Sequence, residues 1–290
     1  MEFIETLLNG LSAGGTYAMI ALGYTMVYGI AKMLNFAHGD IIMVGGYVIF
    51  VTMTTIGHPL IGLLAAVVFC VLLGITIEKI AYKPLRGASP LAVLITAIGV
   101  SYMLQSTAQI IFGSSPKMVI IAELGNIMIG ELKVPVYTIV TLVCSFAIMI
   151  VLSLFVKYTR IGRAMIAVSE DKGAAQLMGI NVNGIIMITF AIGSALAAFA
   201  GLFMLLKSPS LSNTLGAMPG IKAFTAAVIG GIGSIPGAMI GGILMGVVEA
   251  VSFKISAIAP YTDAIEFLIL IIILLVRPSG ILGKKRREKV

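Results

Sequence analysis

Ionisable and small polar residues inside apolar stretches are where this sequence could do chemistry. His38 and Asp40 sit in the run Asn35-Phe36-Ala37-His38-Gly39-Asp40, just before an apolar segment that opens at Ile41. Glu249 lies near the end of a long apolar stretch. A charged group at membrane depth is costly and tends to face protein or water, so Asp40 and Glu249 are candidates for a polar pathway. Each has a second reading. Asp40 is also placed to neutralise the N-terminal end of the following helix, which Asn35 can cap. Glu249 is also placed for a seat at the outer interface. Thr96, Ser101 and Gln105 form a third group within one apolar segment. Ser101 and Gln105 are four residues apart and share a helix face. A polar face in lipid needs partners or water, so this one either lines a hydrophilic route or bonds a neighbouring helix.

Other chemistry finds no residues to carry it. The sequence holds no G-x-x-x-x-G-K-[ST] phosphate loop and no G-x-S-x-G elbow. Its two histidines and two cysteines are separated, without metal-ligand spacing. Cys70 and Cys144 lie in apolar runs and read as small packing residues. The expectation is a protein without catalytic residues, metal or cofactor of its own.

The elements that position these residues are membrane helices. Of the 290 residues 59% are hydrophobic and 11% charged, far below the charge of a soluble domain. The net charge of +7 is not a nucleic-acid patch. Thirteen of the 19 Lys and Arg fall between Lys79 and Arg86, Lys157 and Lys172, or Arg277 and Lys289. Such clustering marks cytoplasmic loops, and the tail 277–290 is also placed to touch anionic lipid heads. MEFIE lacks the basic start of a cleavable signal.

Apolar spans are predicted over Thr6–Ile30, Ile41–Ile56, Leu60–Ile77, Leu91–Phe112, Val136–Val156, Ile185–Leu206 and Ala264–Val276. Ile221–Ser252 is too long for one span of about 20 residues and is predicted to break near GGIGSIPG. The expected fold is an all-α polytopic bundle of eight or nine transmembrane or broken helices, in one domain over 1–290. Its N-terminus is expected outside and its C-terminus in the cytoplasm. The segment 113–135, outside, alternates like short strands or a lid, with Lys117, Glu123, Glu131 and Lys133 giving mixed charge. The glycines of the first span, and Gly193, Ala197 and Gly201, read as close-packing positions. HGDIIMVGGY and IPGAMIGGIL form a loose echo that hints at a repeated half.

The longest polar run is KYTRIGRAMIAVSEDKGAAQLMGINVNG, residues 157–184. Within it a short helix is predicted, capped by Ser169, with Glu170 and Asp171 in its first turn and Gly179 ending it. Ala174 and Ala175 give it a small face for close approach by another protein. A solvated loop with one helical turn is the plainer alternative.

The run Glu170-Asp171-x-x-Ala174-Ala175-x-x-x-Gly179-Ile180 resembles the coupling loop of bacterial ABC-importer permeases, with Asp171 where the broader pattern has its first Ala. Residues 9–40, NGLSAGGTYAMIALGYTMVYGIAKMLNFAHGD, are similar to the opening of the Liv-type branched-chain amino acid permeases, as is TAIGVS at 96–101. The resemblance covers nearly the whole chain. It implies a permease subunit in a prokaryotic inner membrane that provides the path for branched-chain amino acids. Ser169, Glu170, Asp171, Ala174, Ala175 and Gly179 would then receive the ATPase. The implied partners are a homologous second permease, two cytoplasmic ATPase subunits that use the ATP, and a periplasmic or lipid-anchored binding protein. Relatives also carry urea and short amides, which stay open as substrates. A secondary transporter or channel is the rival class. It would need an ion site, and on this reading intramembrane charge is confined to Asp40 and Glu249.

Overall fold

The computed structural model describes residues 2–121, 125–129 and 132–283. The chain folds as helices α1 (Glu2–Ala31), α2 (His38–Thr55), α3 (Pro59–Ile77), α4 (Pro90–Phe112), α5 (Val136–Tyr158), α6 (Arg160–Glu170), α7 (Lys172–Leu177), α8 (Val182–Lys207), α9 (Ala217–Gly230), α10 (Ile235–Lys254) and α11 (Thr262–Val276). Short strands β1 (Lys117–Met118), β2 (Asn126–Ile129), β3 (Leu132–Pro135) and β4 (Ser210–Leu211) form two antiparallel pairs, β1 with β4 and β2 with β3. The alternation expected in 113–135 is thus a hairpin plus one strand. Glu123, Glu131 and the basic residues of 284–290 lie outside the described residues.

Six helical stretches among the described residues are long and apolar enough to cross a membrane: Pro59–Leu85, Pro90–Phe112, Val136–Tyr158, Val182–Lys207, Ile235–Lys254 and Ala259–Val276. α1 is not among them although it is the longest helix. From Ala13 to Ala31 it is almost wholly enclosed by α5, α8, α9 and α10. A helix surrounded by protein needs small residues for close approach rather than bulk for lipid. Gly10 and Gly14 lie against the backbone of Gly246 and of Gly242–Ile243 in α10, and Gly23 lies against His38. The expected packing role of these glycines holds. Gly193 and Gly201 pack on α1 and α2 of the same chain.

The predicted break falls where expected. α9 ends at Gly230, and Gly231 and Gly233 take positive φ before Ser234 caps α10 by accepting from the Gly237 N–H at 3.1 Å. Only glycine enters that backbone region at no steric cost.

The bundle contains an inverted repeat. α3 packs antiparallel on α8, and α10 packs antiparallel on α1. α2 fits between α3 and α8, and α9 fits between α10 and α1. α4 covers α2 as α11 covers α9. The half α1–α4 therefore corresponds to α8–α11 with its direction reversed. The repeat hinted at by HGDIIMVGGY and IPGAMIGGIL is real, but its register differs: the partner of α2 is α9, not α10.

In each half one helix begins inside the protein. His38, which opens α2, packs on Gly23 and Tyr24. Gly23 lies about 12 Å back from the end of α1, at 1.5 Å per residue. Residues 32–37 therefore fold back into the bundle. Residues 208–216 descend in the same way from the opposite end, and Gly216 meets the Gly39 backbone with no room for a Cβ on either residue. Gly216→Val should lower stability by about 3 kcal/mol, the upper end for overpacking a core. A fall in the thermal unfolding temperature of the purified protein checks this, and an unchanged one would mean the crossing is looser than described.

Candidate functional site: an interior crossing and an exposed loop helix

Two places combine unusual chemistry with a defined position. One is the crossing where the N-termini of α2 and α9 converge. Helix N-termini carry partial positive charge, and broken helices meeting inside a bundle form the binding region of many transporters.

Asp40 is buried in the first turn of α2, and Gln105 Nε2 of α4 donates to its Oδ1 at 2.8 Å. Gln105 also donates to Ser101 Oγ at 3.3 Å. The shared face of Ser101 and Gln105 is therefore satisfied by a hydrogen bond between helices. Thr96 is half-buried on the same helix, five residues before Ser101 and off that face. Asn35 does not cap α2. The N-cap is Ala37, without a side-chain bond, and Asn35 Oδ1 instead accepts from the Tyr82 hydroxyl at 2.9 Å. Tyr82 ends the wider π-helical turn, Glu78–Tyr82, that continues α3. His38 is buried edge-on against the Tyr24 ring, 4.8 Å between centroids, and its Nε2 has no hydrogen-bond partner.

The second half carries the equivalent link with charges. Lys222 of α9 is buried, and its Nζ lies 2.7 Å from Asp263, 3.2 Å from Glu266 and 3.8 Å from Glu249. Glu266 is fully buried on α11, so it is not simply a surface charge at a helix start. Sequence reasoning placed interior charge at Asp40 and Glu249 alone; Lys222 and Glu266 join them. The signal was available, because a lone lysine in an apolar stretch requires a carboxylate. A third buried acid, Glu78, pairs with Arg86, which also donates to Asn183.

The other place is the loop 157–184, at the end of the bundle where α1 stops. Thr159 ends α5 and caps α6 by accepting from the Gly162 N–H at 2.9 Å. α6 is amphipathic: Gly162, Met165 and Val168 are buried, while Ile161, Arg163 and Ile166 are exposed. The predicted helix start shifts. Ser169 and Glu170 close α6, and Ser169 Oγ donates to the Ile166 carbonyl at 2.7 Å. Asp171 is the cap of α7, and its Oδ1 accepts from the Gly173 and Ala174 N–H groups at 2.9 and 3.0 Å. Asp171 wins because the backbone turns extended there, as an N-cap requires. Gly179 ends the helix as expected, at φ 80°. The bonds Gly179 N–H to Gln176 and Ile180 N–H to Ala175 complete a Schellman motif.

Ala175 is buried and fixes α7 to the bundle, so only Ala174 offers an exposed small face. Lys172 Nζ donates to the Ala31 carbonyl at 2.8 Å, tying α7 to the last turn of α1. Burial first, and then the nearby Arg86 guanidinium, lower the Lys172 pKa. Beyond the small face, Leu177 is 90% exposed and Met178 82%. Two large apolar residues held in water by a capped helix are unusual on a polar loop. The prediction of a small-residue face missed both.

A family model described as branched-chain amino acid transport system / permease component matches residues 6–274. This chain belongs to that family. The permease is 43% identical to the high-affinity branched-chain amino acid transport system permease protein BraD of Pseudomonas aeruginosa, covering 100% of this chain and 98% of the relative. It is 41% identical to LivH of Escherichia coli K12 with the same coverage. A more distant relative is the ribose import permease protein RbsC of Haemophilus influenzae, 27% identical over 98% of this chain and 87% of the relative. The Liv-type resemblance is thereby confirmed over the whole chain, and the permease is a membrane subunit of a transport system.

Proposed function

We propose that this permease forms part of the translocation path of an ABC importer for branched-chain amino acids and is driven by separate ATPase subunits through α7. The observation that carries the reading is the pair Leu177 and Met178, presented by a helix capped at both ends and anchored through Ala175 and Lys172. Exposed apolar side chains of this size gain about 1.5–3 kcal/mol each when covered, so a partner has reason to seat there. Glu170 and Ala174 border the same surface.

The α7 end is assigned to the cytoplasm because Lys79–Arg86 and Lys157–Lys172 cluster there, and basic residues mark that side. The α1 start then lies outside and the 277–290 tail inside. Counting α1–α5, α8, α10 and α11 with the segment 208–230, in which α9 completes the crossing that residues 208–216 begin, gives nine membrane elements, the odd number that termini on opposite sides require. The second permease, the two ATPases and the external binding protein complete the machine, and ATP is used on the ATPases. Nucleotide state can move the bundle only by binding one of its conformations better than the other. Asn35, His38, Asp40, Thr96, Ser101, Gln105 and Glu249 are the proposed route residues, with Asp40, Ser101 and Gln105 at the crossing. The branched-chain substrate comes from the names of the 41–43% identical relatives.

Uptake competition in cells making the full complex tests the substrate. Leucine should displace labelled leucine, and urea and acetamide should not; displacement by the amides alone would move the permease to that substrate class. Ser101→Leu breaks the Ser101–Gln105–Asp40 link. It should slow uptake about 10-fold while leaving binding-protein affinity intact, as for a lost polar contact worth about 1.4 kcal/mol. Normal uptake in that variant would remove Ser101 from the route.

A further inference from the structure

Opposite the α7 end, a cavity of about 490 Å³ opens between the start of α1, the start of α5 and the ends of α8 and α10. This is the volume of a small-molecule site, within the usual range of about 300–1,000 Å³. Its wall carries two carboxylates, Glu5 and Glu249, and two ammonium groups, Lys207 and Lys254. Ala250 and Phe253 add apolar surface. The cavity of equal volume at the α7 end differs: its charged wall residues are Lys32, Arg86 and Lys172, with no carboxylate. Charges of both signs around an apolar patch suit a zwitterion with an aliphatic side chain.

Glu249 gives the match a direction. It is the farthest of the three carboxylates around Lys222, at 3.8 Å against 2.7 and 3.2 Å for the others. Its Oε2 is buried without a hydrogen-bond partner. One ammonium thus serves three carboxylates, and the one it serves least borders the cavity. A carboxylate whose own lysine stands 3.8 Å away, and whose residue lines the cavity, can take a second ammonium as a charge-assisted partner. No group of three or more His, Cys, Asp or Glu side chains among the described residues is arranged to hold a metal ion.

We propose that this cavity is a low-affinity receiving site for the free amino acid. Glu249 takes the α-ammonium, Lys207 and Lys254 take the carboxylate, and the side chain rests on Ala250 and Phe253. The proposal rests on the importer reading for its substrate. It adds that the permease itself checks for a zwitterion after the binding protein has let go.

The test uses the purified full complex in lipid nanodiscs without the binding protein. The probes are L-leucine, 4-methylpentanoate, which lacks the ammonium, and 3-methylbutylamine, which lacks the carboxylate. Ligand-observed saturation-transfer NMR should show leucine binding, with both half-molecules about 10-fold weaker or more, as expected for losing one partner of a charge pair. Glu249→Gln should weaken leucine by a similar factor. So should the double variant Lys207→Gln/Lys254→Gln, whose positions are exposed and leave the interior untouched. Equal binding of all three probes, no binding of leucine, or wild-type binding by the double variant would overturn the site. Uptake by the wild-type complex with its binding protein, measured on the same preparation, separates the two ideas. Leucine uptake without this binding pattern sinks the receiving site alone, whereas absence of leucine uptake sinks the substrate assignment.

Discussion

Replacing both Leu177 and Met178 with aspartate should strip the ATPase subunits from the purified complex. These residues are 90% and 82% exposed on a helix whose ends are closed by Asp171 and Gly179. Nothing in the permease's own core depends on them. Losing their burial in a partner surface should cost about 3–6 kcal/mol, roughly 100- to 10,000-fold in affinity. Co-purification of tagged permease with the ATPases reads the loss directly, and the permease should remain monodisperse. Ala174→Trp with Glu170→Lys should act in the same direction by adding bulk and inverting charge on the same face. Undiminished co-purification in both variants would reject docking at α7.

The second large effect concerns Lys222. Lys222→Met leaves the buried Glu266 beside Glu249 and Asp263 without the ammonium that contacts all three. Removing one partner of a buried ion pair costs about 3–5 kcal/mol, because the remaining charge is stranded. The variant should unfold at a clearly lower temperature in detergent. Lys222→Met combined with Glu266→Gln should recover most of the loss, since the stranded interior charge is then gone. A single variant as stable as the wild type would show that Lys222 does not hold α9 to α11.

What the sequence made legible follows from where its signals originate. α5 and α11 face outward along most of their length, so hydropathy alone finds them. α1 is enclosed by neighbouring helices, yet its apolar run Thr6–Ile30 is equally legible in the sequence. The break at Gly230–Ser234 was readable because positive φ demands glycine. The early start of α2 was not, because nothing local in residues 32–37 says that the chain folds back beside Gly23. The inverted repeat is visible in packing, whereas the sequence echo pairs α2 with the wrong helix. In the loop, Ser169 and Asp171 are equally good caps by residue type. The choice between them is made by the buried face of α6, which extends that helix through Glu170. Leu177 and Met178 were not legible because residue type does not say which apolar side chains of a short helix the bundle leaves uncovered. The buried cluster at Lys222 joins three helices distant in sequence, and only its lysine was visible as an anomaly.

The central claim is that this permease moves substrate only when ATPases bound at α7 drive it. The most direct measurement is labelled-leucine transport in proteoliposomes holding the complete complex, with ATP on the α7 side and the loaded binding protein on the other. Transport should require ATP, stop when the Leu177→Asp/Met178→Asp permease is used, and ignore imposed sodium or proton gradients. Transport by permease lacking the ATPases, or transport that follows an ion gradient, would contradict it.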